Sequence, residues 1–198
     1  MNPASNEARI KSNNVIDMAI TFAAMNRVFE KKSKIKIARR LNQTVSKLAS
    51  VDGADSFERI HAELCRWFVT NISTAKKNNS VGKVIKKSGP ASYGHAAKVL
   101  DIALKVYVYY SHQPSCQKAR RLTKILHGAV DTPILKHLRE MYAETEVSAR
   151  TIEQIDRDEY RKLQDLIKRH IKDEFHDAIC PVQYDDVMWS RLNREVSA

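Results

Sequence analysis

Apolar residues recur three and four positions apart along most of the chain, which is the signature of amphipathic helices. Behind the polar pair Asn13-Asn14, the residues Val15, Ile16, Ala19, Phe22, Ala23 and Phe29 fall on one helical face. A second stripe runs through Ile35, Ala38, Leu41, Val45 and Leu48, opposite Lys34, Lys36, Arg39, Arg40 and Lys47. The chain breaks at Val51-Asp52-Gly53-Ala54-Asp55. Asp55 and Glu58 then have the spacing of a reciprocal N-terminal cap. Phe57, Ile60, Leu64, Phe68 and Ile72 form the third stripe, flanked by Cys65 and Trp67.

Residues 73–91 lose this periodicity and gather Ser, Asn, Gly and Pro, so a loop is expected there. A helix is expected from Ser92 to Tyr110 on the face Ala96, Val99, Leu100, Ala103, Leu104 and Tyr107. Pro114 opens a basic helix that closes at His127-Gly128. Asp131-Thr132-Pro133 starts another, with Thr132 or Asp131 as a cap and Pro133 in the first turn, where its missing N–H is not needed. Thr151 and Gln154 form a capping-box pattern ahead of Ile152, Ile155, Leu163 and Ile167, and Pro181 begins the last segment. The expected fold is all-α: a single globular domain, residues 1–198, of seven or eight helices, with 73–91 as a loop within it.

Composition narrows the picture. The chain has 198 residues, is 43% hydrophobic and has only 5 Gly and 5 Pro, which argues against both disorder and a turn-rich β fold. No apolar run approaches the roughly 18 residues that cross a bilayer, and the N-terminus lacks a signal-peptide core, so no membrane association is expected. The three cysteines, Cys65, Cys116 and Cys180, are far apart and fit a reducing, cytoplasmic setting. The net charge of +11 is uneven. Residues 64–130 carry twelve Lys and Arg against the single acid Asp101, whereas residues 131–198 are net acidic. The loop contributes Lys76, Lys77, Lys83, Lys86 and Lys87, and Arg120 and Arg121 follow on the basic helix. Such a block makes nucleic acid the expected partner, with DNA taken first.

The candidate chemistry lies in Gly94-His95-Ala96-Ala97-Lys98-Val99-Leu100-Asp101 and in Gly128-Ala129-Val130-Asp131-Thr132. Gly94 stands where a helix begins, and amides at a helix start can hold phosphate. Lys98, among apolar neighbours, can act as an amine nucleophile, and Asp131 at a second helix start can assist as a carboxylate. These segments resemble the helix-hairpin-helix DNA glycosylases of base-excision repair, in the oxoguanine-removing branch. The resemblance covers about residues 85–140. It implies a helix-hairpin-helix element at Gly94, Lys98 as the Schiff-base nucleophile and Asp131 as the catalytic carboxylate. Ala96 replaces the second glycine of that family's hairpin, and the interval from Lys98 to Asp131 is longer than the family's. Tyr93 and His95 are the candidates to stack an extruded base.

Two other readings follow from the same residues. One is a non-catalytic nucleic-acid-binding or defence-associated helical module. The other rests on Arg121 and His127, whose spacing resembles the HEPN ribonucleases, in which Arg binds phosphate and His moves protons. His170, Asp173 and His176 do not share one helical face, so no metal is expected, and no motif asks for a cofactor.

Overall fold

The computed structural model describes residues 3–22, 28–78 and 84–196. They form eight α-helices: α1 (Pro3–Phe22), α2 (Ser33–Ser46), α3 (Ala54–Asn71), α4 (Tyr93–Leu104), α5 (Cys116–Thr123), α6 (Thr132–Met141), α7 (Arg157–Phe175) and α8 (Tyr184–Val196). The fold is all-α, as the periodicity predicts. One buried core runs without interruption from Val15 to Met188.

Helix α4 is the centre of that core. Between Tyr93 and Leu104 every residue is buried except Tyr93 and Lys98, which are partly exposed. A helix apolar on nearly all sides has to be covered on all sides. Helices α1, α2, α3 and α7 pack against it. It continues into a π-helical turn, Lys105–Tyr110, that packs on α1 and α5. Helices α6 and α8 pack on each other.

Several local expectations are corrected. On α2 the inward residue is Ile37, whereas Ile35 is exposed; the buried face is Ile37, Leu41, Thr44 and Val45, with Leu48 just beyond. At the start of α3 the cap is made by Ser56, whose Oγ accepts from the amides of Asp52 (3.1 Å) and Gly53 (3.2 Å). Glu58 is thereby released for another contact. Of Thr132 and Asp131, it is Asp131 that caps α6, its Oδ1 accepting from the Ile134 amide at 3.0 Å. The box at Thr151 and Gln154 opens only a short turn, Ile152–Gln154, and α7 starts afresh behind an Asp156 cap. Ala23 and the Phe22 side chain lie outside the described residues.

The stretch read as a loop between α3 and α4 is a narrow antiparallel ribbon. Strand β1 (Ser73–Thr74) pairs with β4 (Gly89–Pro90), and β2 (Lys77–Asn78) with β3 (Val84–Lys86). Lys77 stands opposite Lys86 in the register. Thr74 also bridges to Phe29. The connection into α4 is therefore a ribbon, and the residues at Gly94 do not form a tight turn between two helices. No helix among the described residues is long and apolar enough to cross a membrane.

Candidate functional site

Four elements deliver polar side chains into the core at one place. His61 comes from α3, Asp101 from α4, Tyr160 from α7, and His127 from the extended segment after α5. All four are buried. The His61 and Tyr160 rings stack, with centroids 5.2 Å apart and 12° between planes.

The hydrogen bonds fix the direction of each proton. Asp101 only accepts, so the single Tyr160 hydroxyl proton goes to Asp101 Oδ2 at 2.7 Å. His127 Nδ1, 2.9 Å from the phenol oxygen, is then a donor. His61 Nε2 donates to Asp101 Oδ1 at 2.9 Å and lies 3.1 Å from the same phenol oxygen. That leaves His61 Nδ1 to accept from the Cys65 thiol at 3.7 Å. Burial pushes the Cys65 thiol well above its ordinary value, so it keeps the proton it donates. Burial and then Asp101 push the Tyr160 phenol up in the same way.

The chain of contacts reaches the surface at Glu58. His127 Nε2 lies 2.6 Å from Glu58 Oε1, and Glu58 is about half-exposed. The hydrogen bond to His127 holds the Glu58 carboxyl below the usual carboxylate value. The arrangement is a buried hydrogen-bond relay, Asp101–Tyr160–His127–Glu58, with a half-exposed carboxylate at its outer end.

His61, Asp101 and His127 also present ligand atoms within 4.8 Å of one another, a spacing that a metal ion could bridge. Metal–ligand bonds to such atoms are about 2.0–2.2 Å. The Tyr160 oxygen already sits between all three atoms, so an ion would have to displace it. As packed, the set is a hydrogen-bond hub.

Glu58 and Tyr160 line a surface cavity of about 350 Å³ together with Arg59, Arg66, Arg157 and Arg161. The two α3 arginines are seven residues apart and the two α7 arginines four apart, so each helix turns one pair toward the cavity. None of the four makes an ion pair or hydrogen bond among the described residues. The local carboxylates are otherwise engaged: Glu58 by His127, and Glu63 by Arg40 at 2.8 Å and Lys47 at 2.9 Å. A second cavity, of about 550 Å³, shares Arg66, Tyr93 and Arg157 with the first. A third lies on the α5 side, where Lys118 and Arg121 contribute.

The residues singled out from the sequence are dispersed around this site. Tyr93 lines both of the first two cavities, and burial pushes its phenol up. Its neighbour Gly94 is buried, and its amide donates to Ile155 O at 3.0 Å, so it has no free N–H to offer a phosphate. His95 is buried, with Nδ1 accepting from the Ser92 amide at 3.1 Å as part of the α4 cap. Lys98 lies about 140° around α4 from Tyr93 at 100° per residue, so it faces away from the shared groove. Neither Lys98 nor Asp131 lines any of the three cavities.

Lys76, Lys77 and Lys87 are exposed on the ribbon. The backbone of Lys86 lies in β3, and Lys83 lies outside the described residues. Arg120 and Arg121 are exposed on α5. That helix ends at Thr123, so Arg121 and the buried His127 do not share a helix as the ribonuclease-like reading requires.

Sequence reasoning missed the arginine cavity and the relay. One signal was present for each: His61 follows Phe57 by four on the apolar stripe of α3, and the arginines repeat at helical spacing. No protein-family model, no curated protein and no solved structure matches this chain.

Proposed function

We propose that this protein binds nucleic acid by its phosphates, with Arg59, Arg66, Arg157 and Arg161 as the holding residues. The observation that carries the reading is that four guanidinium groups without ion-pair partners among the described residues line one cavity. Guanidinium is the side chain best suited to phosphate, because its planar fork offers paired donors. The net charge of +11 supports a polyanion as the source of that phosphate.

The salt dependence of binding tests this. Each arginine that contacts a phosphate contributes about 0.7 to 0.9 to the slope of log K against log salt. All four arginines are exposed, so replacing them leaves the core intact. The double variant Arg157→Ala/Arg161→Ala is expected to lower the slope by one to two such increments. If that slope stays unchanged while Lys76→Ala/Lys77→Ala lowers it, phosphate is held by the ribbon and the cavity reading is overturned.

A covalent step at Lys98 with Asp131 assisting, on DNA carrying a damaged base, is the further proposal of the Gly94–Thr132 resemblance. Its support is the motif alone. Borohydride trapping on lesion-bearing duplexes tests it: an adduct lost in Lys98→Gln supports the step, and no adduct in wild type overturns it.

A further inference from the structure

The arginine cavity does not end at the arginines. The second cavity opens from it across Arg66, Tyr93 and Arg157 and has a different character. Val69 and Ile155 supply apolar surface, and Thr70 and Gln154 supply neutral hydrogen-bonding groups. Glu153 and Asp156 add carboxylates at the same rim. We propose that the two cavities form one site for a single unstacked nucleotide unit, with its phosphate among the arginines and its base against Tyr93 in the apolar compartment. The inference rests on the phosphate reading above and specifies what that phosphate is attached to.

Charge sets the orientation. The first compartment sets four arginines against Glu58 and Glu63, and the second sets Arg66 and Arg157 against Glu153 and Asp156, so a phosphate is drawn toward the Arg59 and Arg161 side. A base has no net charge and presents an apolar face with polar edges. Ionised carboxylates accept hydrogen bonds from N–H groups on the edges of bases, the ring N3–H of thymine among them. Tyr93 stands where the compartments meet, as a platform for the base must. Volumes of about 350 and 550 Å³ fall within the range of small-molecule sites. A base held there is not paired, so the site selects single strands or free nucleotides over duplex.

The experiment uses the full chain and measures binding by fluorescence anisotropy and by competition. The probes are a short oligothymidylate, a strand of the same length made of abasic units, the oligothymidylate in a duplex, and free thymidine monophosphate. Stacking of one base is expected to make the oligothymidylate bind roughly 5- to 100-fold more tightly than the abasic strand. The duplex should bind like the abasic strand, and Tyr93→Leu should remove the advantage of the base while leaving abasic binding in place. Competition by thymidine monophosphate at concentrations comparable to the strand assigns the site to free nucleotides, and its failure assigns the site to one unit within a strand. Equal binding of base-bearing and abasic strands by wild type overturns the inference without any variant. If that equal binding still falls in Arg157→Ala, the phosphate reading survives alone. Absence of binding by every probe overturns both.

Discussion

The hydroxyl of Tyr160 donates to Asp101 Oδ2 at 2.7 Å and lies 3.1 Å from His61 Nε2 and 2.9 Å from His127 Nδ1. Asp101 is 2% exposed and carries a carboxylate that burial alone would penalise heavily. Two donors, Tyr160 and His61, compensate that cost. Replacing Tyr160 with Phe keeps the ring and deletes the donor. The Asp101 oxygen and His127 Nδ1 are then both left without their partner in a site closed to water. We expect Tyr160→Phe to lower the unfolding free energy by about 2–4 kcal/mol in urea titrations, since a stranded buried polar group costs about 1–3 kcal/mol and a charged one more. A loss below about 0.5 kcal/mol would show that the hub is not holding Asp101. The same variant vacates the centre of the His61, Asp101 and His127 set. Zinc titration by calorimetry should give stoichiometric binding only after that substitution, if the phenol is what keeps an ion out.

Glu58 links the hub to solvent, and its pH dependence has a definite sign. Its folded-state value is held below the ordinary glutamate value of 4.5 by the hydrogen bond with His127. A depressed carboxylate contributes stability that is present above the unfolded value and is lost as pH falls through the folded one. Wild-type stability should therefore fall on acidification below about pH 4.5 more steeply than that of Glu58→Gln. Urea midpoints for the two proteins across the acid range check this. Parallel curves would mean that the His127 contact does not favour the ionised carboxylate.

The helices were legible because their signal is local. A stripe such as Phe57, Leu64 and Phe68 needs only neighbours three, four and seven apart. The site was not legible, because it is assembled from residues far apart in the chain. His61 and Tyr160 are separated by 99 positions yet stack face to face. Asp101 stood out in the sequence as the one acid of the basic third, but only the packing of α4 shows it to be buried. Charge counting pointed at residues 64–130, whereas two of the four cavity arginines come from α7 in the acidic third. Net charge by segment cannot register such a patch, because Arg157 and Arg161 share residues 131–198 with fifteen Asp and Glu, most of them on other elements, turns or faces. Tyr93 was singled out from its place beside Gly94, and it does line the groove.

Lys105 makes a second buried ionic cluster, at the far end of α4. It is 2% exposed and meets Asp185 at 2.7 Å and Asp186 at 2.5 Å, both at the start of α8. Burial outweighs the Lys105 attraction and raises the Asp185 carboxyl to about 6, and its Oδ1 has no hydrogen-bond partner. A raised folded value means stability present below the unfolded value and lost as pH rises through the folded one. Between pH 3.8 and about 6 the ionising Asp185 should cost the native state about 2–3 kcal/mol. Asp185→Asn removes that titration and leaves Asp186 to pair with Lys105. The stability difference, wild type minus variant, should decline across this window and level off above it. A flat difference would place Asp185 in a wetter setting than its packing indicates.

Gly94 has a packing role that its neighbours make quantitative. A Cβ built there would stand 2.2 Å from Ile152 O and 2.8 Å from Ile155 Cβ. The first of these atoms is backbone and cannot swing aside as a side chain can. The Gly94 amide also donates to Ile155 O, so α4 and the turn ahead of α7 are in direct main-chain contact. Pushing them apart would disturb the wall between the two cavities, because Tyr93 and Arg157 flank that contact. Gly94→Ala is expected to cost at least about 3 kcal/mol, at the upper end of what overpacking a core costs. The nucleic-acid binding proposed for the groove should also weaken in this variant at temperatures where it is still folded, since both walls of the groove move. Chemical unfolding and anisotropy on the same preparation separate the two effects. An alanine variant of wild-type stability would mean that the helix start and the turn are not in contact in solution.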